Sequence, residues 1–145
     1  MLKVTLQIAS QAPRLPGLPQ LKDWIKAVLN ATQKTEAEIT LRIVDEAESQ
    51  QLNTSYRYKI GPTNVLSFPY SDASGDIVIC APLVQQEAKA QNKTETAHWA
   101  HLVLHGTLHL CGYDHIEPAE AEQMEKLEID TLTTLGFANP YEDSL

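Results

Sequence analysis

Cysteine is nearly absent from this 145-residue chain: Cys80 and Cys111 are the two it has. Two thiols make no disulfide framework, so a reducing, cytoplasmic setting is the expectation. No apolar run approaches the roughly 20 residues that cross a bilayer. The opening "MLKVTLQIAS" has no apolar core of the secretory kind, so neither a membrane partner nor export is expected. Positive charge is scarce, with 11 Lys and Arg against 19 Asp and Glu and a formal net charge of -8. That balance argues against a protein that coats nucleic acid through a broad basic face. It still permits a nucleic-acid enzyme with one small basic site, because phosphate is repelled only elsewhere.

What is present reads as a single globular domain spanning residues 1–145, long enough to bury a core. "LKVTLQI" at residues 2–8 alternates apolar and polar and predicts a strand. The proline-rich "QAPRLPGLP" predicts a loop, and "QLKDWIKAVLNA" a helix with Leu21, Trp24, Ile25, Val28 and Leu29 on its buried stripe. "AEITLRIVD" is a second strand, and "EAESQQLNTSYR" is polar with helical composition. "PTNVLSFPY" and "DIVICA" read as neighbouring strands joined by the turn "SDASG". "PLVQQEAKAQ" predicts a helix with proline in its first turn. "TETAHWAHLVLHGTLHLCG" predicts another, capped by Thr94 or Thr96 and stopped by Gly112. The last helix runs from Pro118 to Gly136. Strands and helices are mixed, with about four strands, so the fold is α/β or α+β.

All five histidines lie in one segment: His98, His101, His105, His109 and His115. At roughly 100° per residue, His101, His105 and His109 fall within an arc of roughly 80° on one helix face. His105 and His109 stand one turn apart, so both rings can reach one ion. Gly112 permits a bend, after which His115 arrives as a third ligand. Three neutral imidazoles suit zinc and leave a fourth position open for water. If the helix persists as far as Cys111, its thiol points away from this face, which favours an open catalytic site over a closed structural one. His98 and His101 are read as packing, solvent-facing or supporting residues and not as ligands. The HxxxHxxGxxH spacing matches that of the metzincin peptidases. Those enzymes carry a glutamate base after the first histidine, where this chain has Gly106.

"HGTLHLCGYDH", with "YRYKIGPTNVLSF" and "GDIVIC" upstream, resembles the bacterial YbeY family of metal-dependent endoribonucleases, also called rRNA maturation factors. The resemblance runs from roughly Leu52 to His115, and the order of elements fits over nearly the whole chain. "PTNVLSF" carries asparagine where many members carry aspartate. The resemblance implies an α+β fold: a small mixed sheet of about four strands with packed helices, and a metal site on a helix and the following turn. It implies one zinc per chain held by His105, His109 and His115. It also implies Arg57 as the catalytically important basic residue, so Arg57 and His105 are the candidate catalytic pair. The implied substrate is single-stranded RNA, with rRNA and ribosomal particles as partners and no role for DNA. The implied cellular role is maturation of the 16S rRNA 3′ end and ribosome quality control.

The residues agree in part. In "YRYK", Arg57 can clamp a phosphate and Tyr56 or Tyr58 can stack on a base, or the segment is an ordinary helix end with half-buried tyrosines. Asp114 either orients a ligand imidazole or forms the turn. Ser67 and Asn64 either face the cleft or lie on an edge strand beside it, the position that the two prolines favour. The attacking group is a metal-activated water or the RNA 2′-hydroxyl. The competing readings are a metal-dependent hydrolase of another substrate, such as a peptidase, and a non-catalytic ribosome-assembly factor with a structural metal.

Overall fold

A computed structural model describes residues 1–57, 61, 63–114 and 116–141, with Arg57 described by its backbone alone. The elements follow in the order β1 (Leu2–Ala9), α1 (Leu18–Ala31), β2 (Ala37–Val44), α2 (Glu46–Arg57), β3 (Val65–Ser71), β4 (Ser74–Cys80), α3 (Ala81–Ala90), α4 (Glu95–Leu110) and α5 (Pro118–Thr134). The strands form one mixed sheet in the order β1-β2-β4-β3. β1 and β4 both run parallel to β2, and β3 returns antiparallel to β4. This is the α+β fold with four strands that the sequence predicts. β3 occupies an edge, which is where its Pro69 can lack a backbone donor without breaking a ladder.

Strand alternation sorts the side chains onto two faces. Ile39, Leu41 and Ile43 of β2 and Ile77 and Ile79 of β4 enter a large core shared with α1, α4 and α5. Val44, Val78 and Cys80 join Leu66 in a smaller cluster on the other face, covered by Leu52 of α2 and Leu83 of α3. Helix α1 begins two residues before the expected start, at Leu18, and takes Pro19 into its first turn, where the missing N–H has no helical partner to lose. Leu21, Trp24, Ile25, Val28 and Leu29 form its buried face, as their spacing predicts.

The hairpin departs from the expected five-residue turn. Only Asp72 and Ala73 form it; Ser71 and Ser74 are already paired in the ladder, and Ala73 adopts φ 60°. Gly75 belongs to β4, opposite Pro69. A Cβ at Gly75 would stand 2.3 Å from the Phe68 carbonyl oxygen and 2.9 Å from Leu110 Cδ2, so the glycine is a packing requirement of strand and helix together. Serine and glycine here read as turn residues by composition, but Gly75 serves close approach and Ser74 Oγ accepts from the Glu38 N–H at 2.9 Å.

Helix α4 is buried nearly all round and packs against β3, β4, α1, α3 and α5. Of the two threonines, Thr94 is the cap, its hydroxyl accepting from the Ala97 N–H at 3.1 Å. Among the described residues no helix is long and apolar enough to cross a membrane. Replacing Gly75 with alanine should cost about 1–3 kcal/mol by overpacking. The test is urea unfolding: a lower midpoint at unchanged slope is expected, and an unchanged midpoint would contradict the close approach.

Candidate metal centre

Helix α4 ends as the sequence predicts. Gly112 has φ 96°; its N–H bonds the His109 carbonyl at 3.0 Å, and the Tyr113 N–H bonds the Leu108 carbonyl at 3.1 Å. This paired closure needs a left-handed residue, which glycine adopts without strain. It also turns the Tyr113 carbonyl back over the last helical turn, 3.0 Å from His109 Nδ1. A carbonyl can only accept, so His109 Nδ1 carries the proton and Nε2 carries the lone pair.

His105, one turn earlier, reaches the same arrangement by another route. Its Nδ1 is hydrogen-bonded to Glu128 Oε1 on α5. Burial alone would raise the Glu128 carboxyl. Hydrogen bonds from His101, His105 and the Tyr141 hydroxyl outweigh it and take the carboxyl down to about 2. The carboxylate therefore accepts, His105 Nδ1 donates, and its Nε2 presents a lone pair. The two Nε2 atoms lie 3.1 Å apart, with rings crossed at 82°. Two imidazole nitrogens on one tetrahedral zinc stand about 3.3 Å apart, given Zn–N bonds of about 2.0–2.1 Å. Converging lone pairs at this distance fit a divalent cation. Among the described residues no group of three or more His, Cys, Asp or Glu side chains completes a metal-binding set. The third sequence candidate, His115, lies outside the described residues.

Glu128 is the residue that sequence reasoning missed. It is fully buried, although four other acidic residues of α5 surround it in sequence. The signal was its place on the helical stripe of Met124, Thr131 and Leu132, all buried. His101 Nε2 approaches Glu128 Oε2 at 3.4 Å, and the Tyr141 hydroxyl donates to the same oxygen. Tyr141, in the segment beyond α5, is a second residue that no sequence pattern marks.

The other candidates sort by face. Gly106 turns toward the sheet. A Cβ there would meet Ile77 Cγ2 at 3.0 Å, and its carbonyl accepts from Ser67 Oγ at 3.1 Å. A glutamate base at this position has no room, so the departure from the peptidase pattern is a consequence of packing. Cys111 points to α1, its Sγ 3.9 Å from Thr32 Oγ1, and burial pushes its thiol pKa up. Cys80 sits in the smaller core, its thiol also pushed up by burial. Neither sulfur closes the site. Asn64 donates at 3.0 and 3.3 Å to Glu87, the carboxylate that also meets His98, and Ser67 supports α4 from the edge strand. Arg57 is the last residue of α2. Its helix is tied to the following chain by Ser49 to the Thr63 carbonyl (2.7 Å) and Asn53 to the Gly61 carbonyl (2.8 Å). Tyr56 beside it is 64% exposed and meets Phe68 edge-on at 5.3 Å, leaving ring surface open to a base. Tyr58 lies outside the described residues.

His98 is a core residue, bonded through Nε2 to Glu87 at 2.8 Å. Burial, partly offset by Glu87, lowers the pKa of its imidazole below the usual value. The unfolded chain therefore binds the extra proton as pH falls below about 6.5. This contribution to stability is complete above that value and is lost as pH falls toward the lower folded value. Between about pH 7 and about pH 5.5 the urea midpoint of the wild type should fall more steeply than that of His98→Gln; parallel profiles would contradict the assignment.

Comparison with known proteins bears on the chain as a whole. The sequence model of the family described as endoribonuclease YbeY matches residues 9–136. The endoribonucleases YbeY of Coxiella burnetii strains Dugway 5J108-111 and RSA 493 / Nine Mile phase I are each 49% identical over 152 residues, covering 99% of this chain and 100% of theirs. The solution structure of TM1509 from Thermotoga maritima superposes with a TM-score of 0.60 at 25% identity, over 91% of this chain and 92% of that one. With both sequence and fold matched over nearly their full lengths, the chain belongs to the YbeY family of endoribonucleases.

Proposed function

We propose that this chain is a metal-dependent endoribonuclease that cuts single-stranded RNA during rRNA maturation, at the 16S rRNA 3′ end, and in ribosome quality control. Family membership supports hydrolysis of RNA, and the convergence of His105 and His109 Nε2 at 3.1 Å carries the metal reading. His105 and His109, with His115 from the sequence motif, would hold one zinc per chain. When bound, the ion supplies Lewis acidity toward a phosphodiester.

The chain's own groups do the rest. Glu128 and the Tyr113 carbonyl hold both Nδ1 protons, so the two rings keep their Nε2 atoms toward the ion. Arg57, at the end of α2, is proposed to pair with a phosphate oxygen through its planar fork and to offset the charge that grows there. Tyr56 offers an exposed ring on which an unpaired base can stack. A net charge of -8 confines RNA to this basic spot and makes weak, nonspecific coating unfavourable. The setting proposed is cytoplasmic, with ribosomal particles as partners and no requirement for DNA.

His109→Ala should remove both the bound metal and the cleavage of unstructured RNA. Arg57→Ala should keep the metal and lower the single-turnover rate at saturating RNA by roughly 10²–10³-fold. A defect that disappears at high RNA concentration would instead make Arg57 a binding residue. Undiminished cleavage by metal-stripped His109→Ala protein would contradict the proposal.

A further inference from the structure

The connection after α5 does more than end the fold. Phe137 packs edge-on against Trp24, with centroids 6.4 Å apart, and its N–H bonds the Leu132 carbonyl at 2.8 Å. Lys93 Nζ donates to the Pro140 carbonyl at 3.3 Å, and Asn139 Oδ1 accepts from the Tyr141 N–H at 2.8 Å. The segment is thus held at several points before it delivers the Tyr141 phenol to Glu128. The Tyr141 ring also packs edge-on against His101, 5.5 Å between centroids at 84°.

The two carboxylate oxygens of Glu128 have separate tasks. Oε2 receives the Tyr141 hydroxyl and faces His101 Nε2 at 3.4 Å. Oε1 is left for His105 Nδ1. A carboxylate held through one oxygen has less freedom to rotate and withdraw the other. From this we infer that Tyr141 and His101 clamp Glu128 so that Glu128 acts as the positioning residue for His105, holding its Nε2 toward the metal and setting metal affinity from a segment outside the helix that carries the ligands. Tyr141 lies beyond residue 136, where the family match ends. The inference rests on the reading of His105 as a ligand, and deepens it.

Two readouts separate the inference from that reading. In metal-stripped protein, long-range proton–nitrogen NMR should show His105 as the Nδ1–H tautomer in the wild type and as a mixture in Glu128→Gln. A wild-type His105 protonated at Nε2 overturns the inference whether or not metal binds. Zinc titration of the same proteins against a chromophoric competitor should show affinity weakened roughly 10–100-fold by Glu128→Gln. Tyr141→Phe should weaken it in the same direction by a smaller factor. This variant removes one hydroxyl from a half-exposed ring, so it does not threaten folding. Because Tyr141 acts through Glu128, the double variant should bind zinc no more weakly than Glu128→Gln alone. Independent, additive losses, or affinities equal to the wild type in both single variants, overturn the clamp. A wild type that binds no zinc yet shows the Nδ1–H tautomer sinks the metal reading and leaves the clamp on His105 standing.

Discussion

Helix α4 lies so close to the sheet at Gly106 that a single methyl group there would press on Ile77 and Ser67. That contact fixes the rotation of the helix about its axis. With position 106 turned to the strands, positions 105 and 109, a full turn apart, must share another side of the helix, where His105 meets Glu128 of α5. Close packing therefore does two things at once. It buries the apolar faces of β4 and α4, and it aims two imidazoles at one place. The same contact leaves no space for a carboxylate beside the first histidine, so the chemistry available here differs from that of peptidases with similar histidine spacing.

The second constraint is electrostatic. A fully buried carboxylate is costly unless hydrogen bonds and charge stabilise it. Glu128 meets that condition with donors from His101, His105 and Tyr141. The arrangement places one negative charge behind the imidazole pair, where it favours a cation in front of them. The backbone performs the matching task for His109 through Tyr113, and this depends on the chain reversal at Gly112. One imidazole is oriented by a distant helix and the other by the turn that ends its own.

Much of this was legible in the residues. The alternation in β2, the stripe of α1, the proline and glycine boundaries of α5 and the glycine stop of α4 are local signals, and local backbone physics decides them. His105 and His109 are legible because helical spacing fixes their relation. The order of the strands is not local: nothing in "DIVICA" says that it lies between β2 and β3. Glu128 was hidden for a similar reason. It is one acid among several on α5, and only burial against α4 distinguishes it. Glu87, which meets His98, was hidden because the pairing of α3 with α4 is not a local signal. Gly75 was misread because a turn and a tight strand crossing both call for glycine.

The central claim is that imidazoles alone, without a thiolate, hold one divalent ion at the end of α4. X-ray absorption at the zinc edge, on purified protein loaded with one equivalent of zinc, tests it most directly. Three imidazole nitrogens at about 2.0–2.1 Å with a fourth oxygen or nitrogen scatterer is the predicted result. A sulfur scatterer at about 2.3 Å, or fewer than three imidazoles, would contradict it.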